Sequence, residues 1–418
     1  MSINQKLNTT NYQLPTTCQR PELMAPAGDW TMLRTAVSNG ADAIYFGLDK
    51  LNMRAKAANF TVDELPKLVL FCKEHNVLTY LALNTIVFEE ELVELEEIIV
   101  AAKNNKVDRI ICSDLAVADL CYKHQMPFCI STQSSISNSL AADVYKRMGA
   151  VRIVLARECS LEEIKKIRTK TDLEIEAFVH GAMCIAVSGR CFMSHHLFGK
   201  SANRGECIQP CRREFEVYDP AIGKSLVVGE DYIMSPKDLC TIEFIDQLIE
   251  AGINSFKIEG RKRAPEYVAK AVAVYRQAID LYFEGNLTEE KKKDLLTELK
   301  KVYNRGFSSG FYFGIPSSEE YAGVEGSKAT TRKSYVGKVL NYYKDIEVAH
   351  ILIESGQIKI GDEILIMGET TGVLEIKLEK MIVNDKEEQT AKRGDEITIK
   401  VASLVRRNDK IYLIEYIN

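Results

Sequence analysis

The chain has 418 residues, 46% hydrophobic and 27% charged, with a formal net charge of −5. That composition describes a globular protein of two or three domains, and it excludes a wholly basic nucleic-acid binder while leaving a local basic patch open. No stretch approaches the roughly 18 apolar residues of a membrane span, the N-terminus lacks the marks of a secretory signal, and a cytoplasmic location without membrane contact is expected.

Residues 1–20 are polar and unpatterned, as in a flexible tail. Short apolar runs then recur at 22–25, 43–47, 78–83, 109–112, 127–131, 152–156, 174–179 and 255–259. Helical patterns lie between them, among them DWTMLRTAVSNG, where Asp29 is placed to cap a helix ending at Gly40. Strands alternating with helices of this length predict right-handed βαβ units. Eight of them predict an α/β fold, a TIM-like (β/α)8 barrel over residues 21–330.

Between the seventh and eighth strands, residues 180–240 break the rhythm. This Cys-rich insertion reads HGAMCIAVSGRCFMSHH, NRGECIQPCRREF and SPKDLC, and it holds Cys184, Cys191, Cys207, Cys211 and Cys240 without helical or strand period. Loops after strands build the mouth of such a barrel, so the thiols are expected there. Polar residues at strand ends are expected to face the same mouth: Glu22, Asn84, Thr132, Gln133, Arg157, Glu158, His180, Glu259 and Arg261. Arg190, Lys200, Arg204, Arg212 and Arg213 stand around the thiols against few acids, a pattern that grips phosphates. Lys257, Lys262 and Arg263 extend the basic character after the eighth strand. From about 335 to 418 short β-rich runs separated by turns, with GDE at 361–363 and 394–396, predict a small all-β domain, a six-stranded barrel.

The chain has eleven cysteines, and in a reducing compartment an odd count suits metal binding better than disulfides. Scattered spacing leaves two readings open, a zinc site stapling the loop and a cubane iron–sulfur cluster. Cys72, Cys112, Cys129 and Cys159 read as packing residues. HExxH, GxSxG, GxxxxGK[ST], CxxxCxxC and a GxGxxG after the first strand are all missing, which removes the zinc proteases, serine hydrolases, phosphate-loop enzymes, radical S-adenosylmethionine enzymes and dinucleotide folds that carry them.

The run EAFVHGAMCIAVSGRCFMSHHLFGKSANRGECIQPCRREF resembles the signature region of the peptidase U32, or collagenase-like protease, family. ELMAPAGDWTMLRTAVSNGADAIYFG and MSPKDLCTIEFIDQLIEAGINSFKIEGRKR are similar to the opening and closing segments of that family's barrel. The resemblance spans residues 21–330, and the β-rich tail is similar to the C-terminal domain of the branch known as tRNA hydroxylation proteins. It implies oxygen-independent hydroxylation of wobble uridine in tRNA to 5-hydroxyuridine, with prephenate as a small-molecule co-substrate. It also implies a [4Fe–4S] cluster whose ligands, by position, are Cys184, Cys191, Cys207 and Cys240. Cys211 completes a CxxxC pair with Cys207, as in another relative, and is the alternative fourth ligand. His180, Glu158 and Glu259 are then the candidate catalytic groups, and Asn84, Gln133, Arg190, Arg212, Arg213 and Arg261 the candidate substrate-binding ones. The alternatives are a U32-type peptidase and a zinc-stapled RNA-binding protein.

Overall fold

The short apolar runs of the first 260 residues form strands buried on both faces, the condition that a parallel sheet imposes. In this computed structural model, residues 19–417 are described except 56, 214, 229–233, 318–319 and 323–325, so the expected tail lies almost entirely outside the described residues. β1 (Glu22–Pro26), β2 (Ala43–Phe46), β3 (Leu78–Leu83), β4 (Arg109–Cys112), β5 (Phe128–Ile130), β6 (Arg152–Val154) and β7 (Glu174–Gly181) pair in sequence order, all parallel. A hairpin follows, β8 (Phe215–Asp219) with β9 (Lys224–Val228), and then β10 (Asp238–Cys240), antiparallel to the end of β7. β11 (Ser255–Ile258) pairs in parallel with both β7 and β1 and closes the eight-stranded barrel. All eight expected strands are present, and the thiol segment leaves from the C-terminal end of β7 as predicted. β12 (Phe307–Ser308) adds to β10.

The crossover helices are α1 (Trp30–Ser38), α2 (Leu65–Glu74), α3 (Leu92–Asn104), α4 (Leu115–Lys123), α5 (Ser139–Arg147) and α6 (Leu161–Arg168). Their starts are set by side chains that accept otherwise unpaired backbone N–H groups. Asp29 accepts from Met32 at 2.8 Å, Asp114 from Ala116 and Asn138 from Ala141, and Ser160 with Glu163 forms a capping box. A short α7 (Met193–Phe198) lies in the thiol segment. α8 (Ile245–Glu250), α9 (Pro265–Phe283) and α10 (Glu289–Lys300) complete the helical layer.

Alternation along each strand separates two cores. Outward residues such as Leu23, Ile44, Leu81, Ile110 and Ile153 join the large core beneath the helices, whereas Met24, Ala43, Tyr45, Tyr80, Ile111 and Cys129 pack together inside the barrel. The lower barrel interior is ionic. Arg152 reaches Glu22 at 2.6 Å, Glu174 at 2.7 Å and Glu176 at 3.2 Å; Arg109 meets Glu174 at 2.5 Å, and Lys257 donates to Glu176 at 2.7 Å. Three carboxylates thus face three cations, and Tyr80 and Ser255 each donate to Glu22 at 2.9 Å. Glu22, expected at the mouth, is instead the first residue of β1, paired with the first residue of β11 at the opposite end of the barrel. It starts its strand rather than ending it.

The C-terminal domain runs β13 (Thr331–Tyr343), β14 (Val348–Ile353), β15 (Gln357–Lys359), β16 (Glu363–Gly368), β17 (Gly372–Lys377), β18 (Ile382–Val383), β19 (Lys386–Glu387), β20 (Thr390–Lys392), β21 (Glu396–Lys400) and β22 (Lys410–Tyr416). Its antiparallel sheet has eight strands, and β15 and β20 form a separate ribbon over one shared core, in place of the expected six-stranded barrel. The extra strands are two or three residues long, too short to leave an alternating pattern. The two GDE turns are alike: Asp362 accepts from the Lys359 N–H and Asp395 from the Lys392 N–H, both at 2.8 Å. Lys333 pairs with Glu266 at 2.8 Å and Lys270 with Glu375 at 3.1 Å, which fixes this domain against α9. No helix among the described residues is long and apolar enough to cross a membrane.

The ionic interior yields the first prediction. Arg152→Met leaves Glu22 without a cation while Glu174 keeps Arg109 and Glu176 keeps Lys257, and is expected to lower the unfolding free energy by about 3–5 kcal/mol in urea titrations. Burial alone would raise the Glu174 carboxyl, but Arg109 and Arg152 hold it down to about 2 from 4.5. Its folded value is depressed, so its contribution is complete above pH 4.5 and is lost as pH falls toward 2. The Glu174→Gln protein should therefore lose less stability than wild type across that window.

Candidate active site

A cavity of about 170 Å³ opens at the C-terminal ends of the barrel strands. Its floor is Tyr45, Ala82, Ile111, Val154, Phe178 and Lys257, the inward side chains directly above the ionic network. One wall is the segment after β7, which brings Cys184, Cys191, Cys207 and Cys211 to the same cavity. Burial lifts the Cys211 thiol above its ordinary value, Arg212 opposes the shift, and the charges of Cys184, Cys207 and Cys191 add to it. The four thiols are therefore electrostatic neighbours. Among the described residues no group of three or more His, Cys, Asp or Glu stands in closed coordination geometry. The donor set is nonetheless that of a soft-metal or iron–sulfur site: thiols converging from a loop at an open mouth.

Polar tethers hold the thiol segment in place. Asn203 accepts from the Cys191 N–H at 2.9 Å, Ser194 from the Ile208 N–H at 3.2 Å, and Lys262 donates to the Cys207 carbonyl at 2.9 Å. Arg204 pairs with Glu91 at 2.9 Å, fastening the segment to the start of α3. Gly205 presses on the loop after β2, where a Cβ would lie 2.2 Å from the Asn52 carbonyl oxygen.

The opposite wall is cationic. Arg54, from the loop after β2, pairs with Glu259 at 3.0 Å. Burial would raise the Glu259 carboxyl, but Arg54, Arg263 and Arg157 outweigh it and hold it below the usual range, ionised. Arg261 is 5% exposed, and its Nη1 is buried without a hydrogen-bond partner in the protein. Burial, with Arg54 alongside, pulls its guanidinium down to about 10. Gly47 makes the room, since a Cβ there would fall 2.4 Å from Arg261 Nη1. A buried guanidinium lacking a partner in a cavity calls for an anion.

Of the residues expected from sequence, Asn84, Gln133, Glu259, Arg261, Arg212, Cys184, Cys191 and Cys207 line the cavity. Asn84 and Gln133 clasp each other: Asn84 Nδ2 donates to Gln133 Oε1 at 2.8 Å, and Gln133 Nε2 donates to the Asn84 carbonyl at 2.7 Å. Five of the expected residues do not line the cavity. Cys240 lies outside the cavity, buried in the large core beside Tyr275, where burial pushes its thiol up to about 12. His180 is also outside, 2% exposed and packed against Tyr267, Tyr275 and Phe307, because an irregularity between Lys257 and Ile258 shifts the register where β7 ends. Glu158 is exposed and away from the cavity, as are Arg190 and Arg213. Arg212 lines the cavity, but its Nη groups are spent on Ser235, Pro236 and Met183, leaving only the buried Nε without a partner, and it works as a strut. Arg54, Arg157, Lys257 and Lys262 line the cavity beside Arg261, with Lys257 paired to Glu176 and Arg54 to Glu259. Arg157 lies 4.0 Å over the Phe178 ring. Arg54 sits in a loop with no motif, and only its position after a barrel strand marks it.

The sequence model of peptidase family U32 matches residues 28–322. A collagenase of Porphyromonas gingivalis is 41% identical over 403 residues, covering 94% of this chain and 97% of that protein. The tRNA hydroxylation protein P1 of Bacillus subtilis is 39% identical over 373 residues, 88% of each chain. The 23S rRNA 5-hydroxycytidine C2501 synthase of Escherichia coli is 35% identical over 298 residues, 70% of this chain and 45% of that one.

The placement of His180 can be checked by titration. Burial lowers its imidazole to about 3 from 6.5, so below pH 6.5 the unfolded chain binds a proton that the folded chain refuses. Stability is expected to fall with acidification from 6.5 toward 3, by at most about 1.4 kcal/mol per pH unit from this group. His180→Phe should flatten that slope between pH 6.5 and 4.5 in denaturation curves; an unchanged slope would contradict the buried neutral imidazole.

Proposed function

The chain belongs to peptidase family U32, and from that premise we propose that it hydroxylates RNA, converting wobble uridine of tRNA to 5-hydroxyuridine without O2. The observation that carries this reading is the cavity itself, with four thiols on one wall and Arg54, Arg157, Lys257, Arg261 and Lys262 around the rest. The names of the B. subtilis and E. coli relatives support RNA as the substrate. Cys184, Cys191, Cys207 and Cys211 are the residues to hold a [4Fe–4S] cluster, with Cys211 in the place that position alone had given to Cys240. Such a cluster, when bound, would supply one-electron redox chemistry at the cavity wall. Arg261, with its unmatched guanidinium, holds the carboxylate of an anionic co-substrate, prephenate in this reading. Replacing C5–H by C5–OH is a two-electron oxidation that inserts one oxygen atom, so a small reactant must share the cavity with the base. Asn84 and Gln133 present amide groups from the wall opposite Arg261. Glu259, ionised and clamped by Arg54, is placed to accept a proton.

Proteolysis, the activity in the names of other relatives, finds little support here. A cysteine nucleophile is ordinarily activated by an adjacent histidine; no described residue lining the cavity is one, and the carboxylate there, Glu259, is engaged by Arg54.

Single Cys→Ser changes at 184, 191, 207 or 211 should abolish iron and sulfide binding in anaerobically purified protein, while Cys240→Ser retains both. The reverse pattern at 211 and 240 would overturn the ligand set. Transfer RNA from a strain lacking the gene and any redundant route should lose 5-hydroxyuridine and its derivatives in nucleoside mass spectrometry. Unchanged tRNA, together with cleavage of gelatin that depends on Cys184, would replace this reading with the peptidase.

A further inference from the structure

The outer face of the thiol segment leaves six large apolar side chains in water. Phe192 is 73% exposed, and Ile185, Val187, Leu197, Phe198 and Ile208 are each at least 41% exposed. Ile185 and Val187 also line the cavity, and Phe192 follows Cys191 directly, so the patch is continuous with the cavity rim. α7, which ends in Phe198, packs on the turns at 202–204 and 210–212 that carry the wall. Scattered surface apolar residues need no explanation, but a contiguous patch at a cavity mouth marks an interaction site.

Charge identifies the occupant. Between residues 182 and 213 the cations are Arg190, Lys200, Arg204, Arg212 and Arg213, and Glu206 is the lone acid. Arg204 and Arg212 are used as tethers, but Arg190, Lys200 and Arg213 are exposed; Arg190 makes one long hydrogen bond, to the Gln133 carbonyl at 3.5 Å, and Arg213 lies 4.8 Å over the Phe198 ring. Aromatic rings interleaved with cations are how proteins hold single-stranded nucleic acid: each ring stacks a base and each cation meets a phosphate. A partner protein would gain from the apolar side chains but not from the excess positive charge.

Resting on the RNA reading above, we propose that this face is the docking platform for an unpaired RNA loop. Phe192 and Phe198 stack the bases on either side of the target, Arg190, Lys200 and Arg213 meet the backbone, and the target base turns out of the stack past Ile185 and Val187 into the cavity. Recognition then depends on the RNA being unpaired at the target, and a base held in a duplex is refused.

The test uses the full chain with its iron content verified in every variant. Binding is read by fluorescence anisotropy against an anticodon stem–loop RNA, the same sequence annealed to its complement, and an unstructured collagen-like peptide. Phe192→Ala and Phe198→Ala should each weaken stem–loop binding by about 5- to 150-fold. Phe192→Trp should restore it, and the salt dependence should stay as in wild type. Arg190→Ala and Arg213→Ala should instead flatten the salt dependence, by about 0.7 of a log–log unit for each phosphate no longer neutralised. The duplex should bind more weakly than the stem–loop. Stem–loop binding unchanged in both Phe variants, or duplex bound as tightly as the stem–loop, would overturn the platform while leaving RNA hydroxylation intact. A wild-type protein that binds the peptide and neither RNA would overturn the RNA reading with it.

Discussion

Arg152 touches Glu22, Glu174 and Glu176 from within the barrel, and the form of the cavity above follows from that set of contacts. Barrel interiors are ordinarily filled by layers of branched apolar side chains. Here a charged layer fills the lower half, and its members are held in place by one another. Glu176 is shared between Arg152 and Lys257. The Lys257 ammonium is thereby drawn down to the floor, 4.5 Å from the Tyr45 ring, instead of reaching up through the mouth. Removing one member of such a network is costly, whereas replacing the whole set by apolar side chains is often neutral or stabilising. Stability alone therefore does not account for it. What it provides is a rigid polar floor at which one lysine keeps a fixed height.

The thiol wall is built on a different principle. Little of it is anchored by apolar burial, and its side-chain contacts are polar groups gripping backbone: Asn203 on Cys191, Ser194 on Ile208, Lys262 on Cys207, Arg212 on Met183 and Pro236. None of these tethers uses a thiol as its anchor. The sulfurs are positioned by their neighbours; among the described residues Cys207 Sγ alone of the four accepts a hydrogen bond, from the Gln209 N–H at 3.4 Å, and contacts of this kind from surrounding residues orient the ligands of metal sites. It also explains the irregular cysteine spacing. Some tethers close the segment on itself, as Asn203 and Ser194 do, and others fasten it to the barrel, as Arg204 does on Glu91, so no repeating knuckle emerges.

The barrel was legible because its signal is local and repeated: eight buried runs, helices between them, and caps such as Asp29 and Ser160 at their starts. The thiol segment was legible as an exception to that rhythm. What escaped depends on where a side chain points. Cys240 and Cys211 are the same residue type, yet β10 turns one into the core while the turn at 210–212 presents the other to the cavity. His180 stands one register irregularity away from an inward position. Glu22 looked like a strand-end residue because the run 22–25 gives no direction until its partner, β11, is known. Arg212 carried the expected charge, but the carbonyls of Met183 and Pro236 claim it. The short strands at 382–392 left no pattern because two residues cannot alternate.

Charge stoichiometry links floor, wall and chemistry. Of the cavity's cations, Lys257 is matched by Glu176 and Arg54 by Glu259. Arg157, Arg212, Arg261 and Lys262 remain, four positive charges in a lining whose other ionisable groups are Tyr45 and four thiols. With every thiol protonated the site is strongly positive, and Arg261 bears part of the cost as a guanidinium pulled down to about 10, chiefly by burial. Loss of all four thiol protons brings the cavity to balance. A proteolytic cysteine needs one thiolate and one neighbouring base, and four offsetting cations would be surplus to it. Metal ligation deprotonates every ligating thiol, and although the metal's own positive charge offsets part of the thiolates' charge, of the two readings it is the one that makes use of several cations around Cys184, Cys191, Cys207 and Cys211.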